Sequence, residues 1–143
     1  MAYHVAYVTH DVMLRIVRAH KTCEIRLSER AHPARSARPN DRLIFKESGG
    51  PVFGVAHIWG ALHYSSVTPV TLAKIERMAR YDMAAEDRAY FQAHENANYA
   101  SVLLFQDFTY CTLADEFTPR GDQIGWVADF AHAQHLKISA QVI

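Results

Sequence analysis

The 143-residue sequence contains only two cysteines, Cys23 and Cys111, and neither belongs to a CxxC pair. Two thiols without that spacing exclude a disulfide framework and a zinc ribbon. Both read as small buried hydrophobes in a reducing compartment. No apolar run approaches the ~20 residues of a membrane helix. The opening Met1-Ala2-Tyr3-His4-Val5-Ala6 lacks the basic stretch of a secretory signal. The expectation is a cytoplasmic protein with no membrane partner. GxxxxGK[ST] and HExxH are both absent, so neither a P-loop nor a zincin site is indicated. The nine histidines include His132 and His135 at i, i+3, with His57 and His63 in a strand region, but no paired ligand set. No metal and no cofactor are expected. Repeats, low-complexity tracts and linkers are lacking too, which makes residues 1–143 one domain, long enough to bury a core without staples.

Net charge is also lacking, since fifteen Lys/Arg balance fifteen Asp/Glu. The balance hides an asymmetry. Residues 1–50 hold nine Lys/Arg against five Asp/Glu, and residues 51–143 hold six against ten. One basic face that attracts phosphate is one reading of this split. Mutual neutralisation of the halves across the fold is the other.

Periodicity orders the chain. Tyr3 to Val8 reads as a strand, then a helix capped by Asp11 with Val12, Met13, Ile16 and Val17 on one face, ending near Ala19. Thr22 to Leu27 alternates, with Glu24 and Arg26 on one face and Cys23, Ile25 and Leu27 on the other. Ser28 to Asn40 is a loop with Pro33 and Pro39, long enough to suggest a function. Arg42 to Lys46 and Pro51 to Tyr64 form a hairpin across Glu47-Ser48-Gly49-Gly50, with bulges or bends expected at Gly54 and Gly60. Thr68-Pro69 opens a helix whose buried face is Leu72, Ile75, Met78 and Ala79. A short helix over Glu86 to Asn96, strands over Tyr99 to Phe105 and Phe108 to Leu113, a helix over Ile124 to His135 and a last strand over Ile138 to Ile143 complete the order. Many hairpins and few β-α-β units argue for an α+β fold with a mixed or antiparallel sheet curled toward a barrel.

Two clusters could carry chemistry. Lys21, Glu24 and Arg26 lie within six residues at the start of a strand. Arg26 could fork onto a phosphate, Lys21 could act as a point charge or base, and Glu24 could exchange a proton. A plain Glu–Arg pair on a solvated face accounts for the same spacing. Lys46-Glu47-Ser48-Gly49-Gly50-Pro51 could turn backbone amides toward an anion, with Lys46 and Ser48 adding donors, or it could be only a turn. Trp59, Tyr64, Tyr99 and Trp126 read as core or barrel-rim residues, with base stacking as the rival role.

Together the clusters resemble the ASCH domain family. Lys21-x-x-Glu24-x-Arg26 is similar to that family's Gly-x-Lys-x-x-Glu-x-Arg strand. Asp41-Arg42-Leu43-Ile44-Phe45, followed by Gly50-Pro51-Val52-x-Gly54-x-Ala56, is similar to its Gly-Asp-x-x-x-Phe hairpin leading into Gly-Pro-Val-x-Gly-x-Ala. Val67-Thr68-Pro69 and Tyr99 to Leu104 extend the likeness, which spans about Ala19 to Phe105. Ala19 and Asn40 stand where the pattern has glycine. Asn tolerates left-handed φ, whereas Ala does so less easily, so the turn before Lys21 is expected to differ in detail.

The resemblance implies a PUA-like mixed or antiparallel β-barrel with flanking helices that binds RNA or a nucleotide and acts in RNA metabolism. Lys21, Glu24 and Arg26 would form its cleft, and Arg30, Arg35, Arg38, Arg42, Lys46 and Ser48 would contact the ligand. Some relatives cleave RNA, and others hydrolyse N-acylated cytidines, so a ribonuclease or nucleoside amidohydrolase is the alternative. The deacylating relatives carry Thr where this chain has Glu24; a Glu there would activate water instead of attacking directly. A protein-interaction module with a vestigial cleft is the third reading. The oligomeric state is left open.

Overall fold

The computed structural model describes residues 1–79, 85–121 and 125–139, and seven strands among them pair into one sheet system. The strands are β1 (Tyr3–Val8), β2 (Cys23–Ser28), β3 (Arg42–Glu47), β4 (Val52–Tyr64), β5 (Tyr99–Thr112), β6 (Trp126–Val127) and β7 (Lys137–Ile138). The helices are α1 (His10–Val17), α2 (Pro69–Ala79) and α3 (Ala85–Ala93). Strand order is β2-β5-β4-β3-β1-β6, with β7 against the far end of β5. β1 runs parallel to β3 and the other pairs are antiparallel, so the sheet is mixed.

Alternation along the strands sets two faces. Ala6, Val8, Leu43, Phe45, Ala56, Ile58, Leu103, Phe105 and Trp126 fill the concave side, closed at one end by Ile16 of α1. Val5, Ile44, Val52, Val55, Cys111 and Leu113 face the other way, under Phe117, Phe130 and Leu136. Leu27, Ala100 and Val102 carry Ile75 of α2 and Phe91 of α3. Tyr90 fastens α3 to β2: its hydroxyl accepts from the Leu27 amide at 2.7 Å and donates to the Leu27 carbonyl at 3.3 Å. Both cysteines are buried and outside any disulfide, and burial pushes the Cys111 thiol up to about 11.

Several elements differ from their sequence reading. Helix α1 is capped by Thr9, not Asp11; its side chain accepts from the Val12 amide at 3.3 Å. Thr9 keeps the extended backbone a cap requires, whereas Asp11 lies inside the first turn. The helix closes with His20 N–H donating to Arg15 O and Ala19 N–H to Ile16 O. These are the two bonds of a left-handed terminus, and Ala19 adopts the required φ of 59° although it is not glycine. Asn40, the other residue in a glycine position, has φ 76°.

Residues 99–112 form one strand, not two, passing through Asp107 at φ 58°. No helix covers 125–135. Trp126 packs on the concave side and Val127 on the opposite face, an alternation with period two, and Trp126 pairs with Ala6 of β1. Only Ala133–His135 makes a helical turn, of the 3-10 type. Ile124 and residues 140–143, included in the expected helix and last strand, lie outside the described residues. Met78, expected on the buried face of α2, is half exposed. Gly60 sits at a shift in the β4–β5 register, whereas Gly54 marks a close approach: the Phe108 ring occupies the place a Cβ would take.

Candidate ligand-binding pocket

β2 is one edge of the sheet and β6 the other. Arg26 reaches across between them. Its Nη2 donates to Tyr7 O at 2.9 Å and its Nη1 to Gly125 O at 3.3 Å. The guanidinium also lies 5.5 Å from the Trp126 ring. The sheet therefore curls into a half-barrel with Arg26 at the seam. Its neighbour on the same face, Glu24, is buried, with Oε1 3.2 Å from Arg26 Nε, although that contact is poorly aligned for a hydrogen bond. Glu24 Oε2 has no hydrogen-bond partner among the described residues. Lys21 is also buried, at the turn that feeds β2.

Beside the seam opens a pocket of about 900 Å³. Arg26 and Tyr7 form one wall, Lys46, Ser48, Gly49, Gly50 and Pro51 of the β3–β4 hairpin a second, and Asp115, Thr118, Arg120, Gly121 and Gly125 the remainder. Arg26 from the first sequence cluster thus meets the Lys46–Pro51 cluster in one concavity, whereas Lys21 and Glu24 do not line it. Among the described residues, three cationic residues line it, Arg26, Lys46 and Arg120, against one carboxylate, Asp115. Lys46 is only 5% exposed; its Nζ donates to Glu47 O at 3.2 Å and lies 4.8 Å from the Tyr7 ring centre. Burial, reinforced by the Arg120 charge and opposed by Glu47, holds the Lys46 ammonium below the usual lysine range. A pocket in which like charges converge, one of them the poorly solvated Lys46 ammonium, suits an anion.

The hairpin offers fewer amides than its glycines suggested. Ser48 N–H donates to Val8 O and Gly50 N–H to Glu47 O, which leaves Gly49 as the one amide of the three with no backbone partner among the described residues. Gly49 has φ 73° and open space around it. The sequence marks Pro119 to Gly121 as a turn but gives the 113–120 segment no place at the site. Thr118 Oγ1 donates to Ala114 O at 2.9 Å, and Arg120 donates to Asp115 O at 3.5 Å, so the turn holds itself and presents Arg120. Its Asp-Glu-Phe-Thr-Pro-Arg-Gly composition signals a turn, but nothing local says what it faces.

The other predicted contacts lie elsewhere. Arg30 borders a smaller pocket of about 400 Å³ with Ser28, Glu29, His94 and Asn96. Arg35 is engaged, donating to Tyr64 O at 3.3 Å and lying 4.9 Å from the Tyr99 ring centre. Arg42 donates to Asn40 O at 2.8 Å, and Arg38 is exposed. Of the four aromatic candidates, Trp126 is buried and Trp59 is 52% exposed, not packed in the core. Among the described residues no group of three His, Cys, Asp or Glu side chains could hold a metal ion, and no helix is long and apolar enough to cross a membrane.

No family model and no curated protein matches the sequence. Solved structures do match in fold. The crystal structure of ASCH from Zymomonas mobilis superposes with a TM-score of 0.69 at 14% identity, over 94% of this chain and 90% of that one. A serine-to-alanine mutant of the same protein gives 0.67 at 13% identity, over 89% and 87%. The hypothetical protein PH0355 gives 0.51 at 18% identity, over 74% and 98%. At these identities the likeness is one of fold, an ASCH-type α+β half-barrel of mixed sheet with flanking helices.

Proposed function

We propose that this chain binds RNA or a nucleotide in the pocket beside the seam and acts in RNA metabolism. The observation that carries the reading is the convergence of Arg26, Lys46 and Arg120 on a cavity large enough for a nucleotide. Lys46 and Arg120 receive phosphate. Beyond the two N–H groups given to Tyr7 O and Gly125 O, Arg26 keeps three: Nε–H on the Glu24 side, and one on each Nη for the ligand. Ser48 supplies a hydroxyl, and the Gly49 amide adds a backbone donor.

Titration calorimetry with cytidine 5′-monophosphate and a short single-stranded RNA tests this. Binding weakens steeply with salt, and Lys46→Met or Arg120→Ala lowers affinity about tenfold or more, the scale of a lost charge-assisted contact. Absence of binding to either ligand at low salt removes the proposal.

One observation favours a hydrolytic second reading. The buried Glu24 carboxylate keeps Oε2 without a hydrogen bond beside the Arg26 guanidinium. A carboxylate so placed can take a proton from water, with Lys21 positioning the scissile group and Arg26 stabilising developing negative charge. Product formation from RNA or N-acylated cytidine that is lost in Glu24→Gln supports it. Activity that survives both Glu24→Gln and Lys21→Ala rules these residues out.

A further inference from the structure

The arginine-rich stretch does not line the seam pocket; it runs along the outside of β4. Arg35 Nη1 donates to Tyr64 O at 3.3 Å, His63 Nε2 donates to Ala37 O at 2.8 Å, and Asn40 N–H donates to Ile58 O at 2.8 Å. Ile58 N–H donates in return to Asp41 O at 2.9 Å. Residues 35–41 therefore lie antiparallel to residues 58–64, and exposed Arg38 and Pro39 fall beside the stretch between Ile58 and His63. That stretch carries two exposed apolar side chains, Trp59 and Leu62. The register of β4 against β5 shifts between Ile58 and Gly60, and a shift of this kind re-aims the side chain it contains. Ile58 stays in the concave core while Trp59 turns to water. Arg42 is the register partner of His57, two residues from Trp59, and so lies on the same side of the sheet. Of the nearby carboxylates, Asp41 is turned inward onto His4, and Asp107 is exposed beyond Gln106, the β5 partner of His57.

We propose that Trp59, Arg38 and Arg42 form a second contact surface for single-stranded RNA, with a base stacked on the Trp59 indole and the flanking phosphates on the two guanidinium groups. The proposal rests on the reading that the chain binds RNA, but it uses none of the pocket's side chains. Two apolar residues are far short of the roughly 800 Å² per partner that a stable protein interface buries. A base needs only one aromatic face, and the adjacent cations match phosphate. The covered Ile44 separates this ledge from Lys46 on the same strand.

The chain's two tryptophans make the test direct, because Trp126 is buried and Trp59 is not. Decauridylate is titrated while indole fluorescence is followed, with inorganic polyphosphate as a polyanion without bases and decadeoxyuridylate as the DNA counterpart. Decauridylate quenches the exposed indole and polyphosphate does not. Trp59→Ala weakens decauridylate binding roughly tenfold, and Trp59→Phe keeps most of the affinity. Arg38→Ala and Arg42→Ala each lower the salt slope by about 0.7. Lys46→Met weakens overall affinity but leaves the quenching at saturation intact. The proposal is overturned if Trp59→Ala binds as tightly as wild type, if polyphosphate quenches equally, or if decadeoxyuridylate is preferred. RNA binding without any Trp59 response overturns this surface alone, and absence of all RNA binding overturns it together with the RNA arm of the pocket reading.

Discussion

Asp41 ties three separate pieces of chain together. Its Oδ1 accepts from the Ala2 amide at 2.9 Å, and its Oδ2 accepts from the His4 ring at 2.8 Å and from the Arg38 amide at 3.0 Å. His4 Nδ1 accepts from the Asp129 amide at 3.3 Å, which leaves Nε2 as the nitrogen that carries the proton toward Asp41. Burial by itself would raise the Asp41 pKa, but the hydrogen bonds from Ala2, His4 and Arg38 outweigh it and hold the carboxyl below its ordinary 3.8. A carboxylate depressed in the folded state stabilises the fold fully above its unfolded pKa, and that contribution disappears as pH falls through the folded value. Urea unfolding is therefore expected to show a loss of stability below about pH 4 that Asp41→Asn lacks. At neutral pH the same substitution costs about 1–3 kcal/mol, since three donors lose a charged acceptor. Equal acid sensitivity in wild type and Asp41→Asn would assign the acid limb to other groups.

At the scale of elements, legibility followed local rules. β1, the β3–β4 hairpin and the start of α2 were readable because alternation, a Gly-Gly turn and a Thr-Pro cap are each encoded within a few neighbours. Ala19 was marked as a difficult substitute for glycine, yet the turn keeps its left-handed φ because two helix-terminal hydrogen bonds fix it. The helix expected over 124–135 failed for a nonlocal reason: β1 supplies Trp126 with a strand partner that its own neighbours do not announce. The two strands expected over Tyr99 to Phe105 and Phe108 to Leu113 leave out the polar Gln106-Asp107, whereas pairing with β4 carries one strand through. In the pocket, Arg26, Lys46 and Ser48 were legible as clusters, and Arg120 was not, because its turn meets the hairpin only in three dimensions. Gly54 gives this scale its prediction. A Cβ there would lie 2.2 Å from Phe108 Cε2, and Phe108 packs against Phe45 and Phe53. The Tyr110 ring packs edge-on against Phe108 as well, so Gly54→Ala must displace a ring held by three others and is expected to cost about 1–3 kcal/mol in thermal unfolding. Gly54→Ala combined with Phe108→Leu, which makes room for the methyl, should cost less than the sum of the two single changes. Additive losses would place the strain elsewhere.

For the molecule as a whole, the decisive contact is the one that brings the sheet edges together. An open sheet would leave β2 and β6 with unpaired edges; here Arg26 gives its guanidinium to carbonyls on the opposite side and draws Glu24 into the seam with it. The residue that resembles a ligand-binding arginine is thus also the closure of the barrel, so loss of binding in Arg26→Ala does not by itself identify a ligand contact. The two roles separate energetically. Arg26→Ala strands a buried carboxylate as well as removing the seam bonds, and is expected to cost about 3–5 kcal/mol. Glu24→Gln combined with Arg26→Ala removes the stranded charge, so the double variant should be more stable than Arg26→Ala alone. Hydrogen exchange gives the spatial readout: the amide of Tyr7, which donates to Gly125 O at 2.9 Å, should exchange faster in both variants because the seam has opened. A double variant no more stable than Arg26→Ala would show that Glu24 draws no stability from Arg26. Unchanged exchange at Tyr7 would show that the half-barrel is closed by the β1–β6 pairing without it.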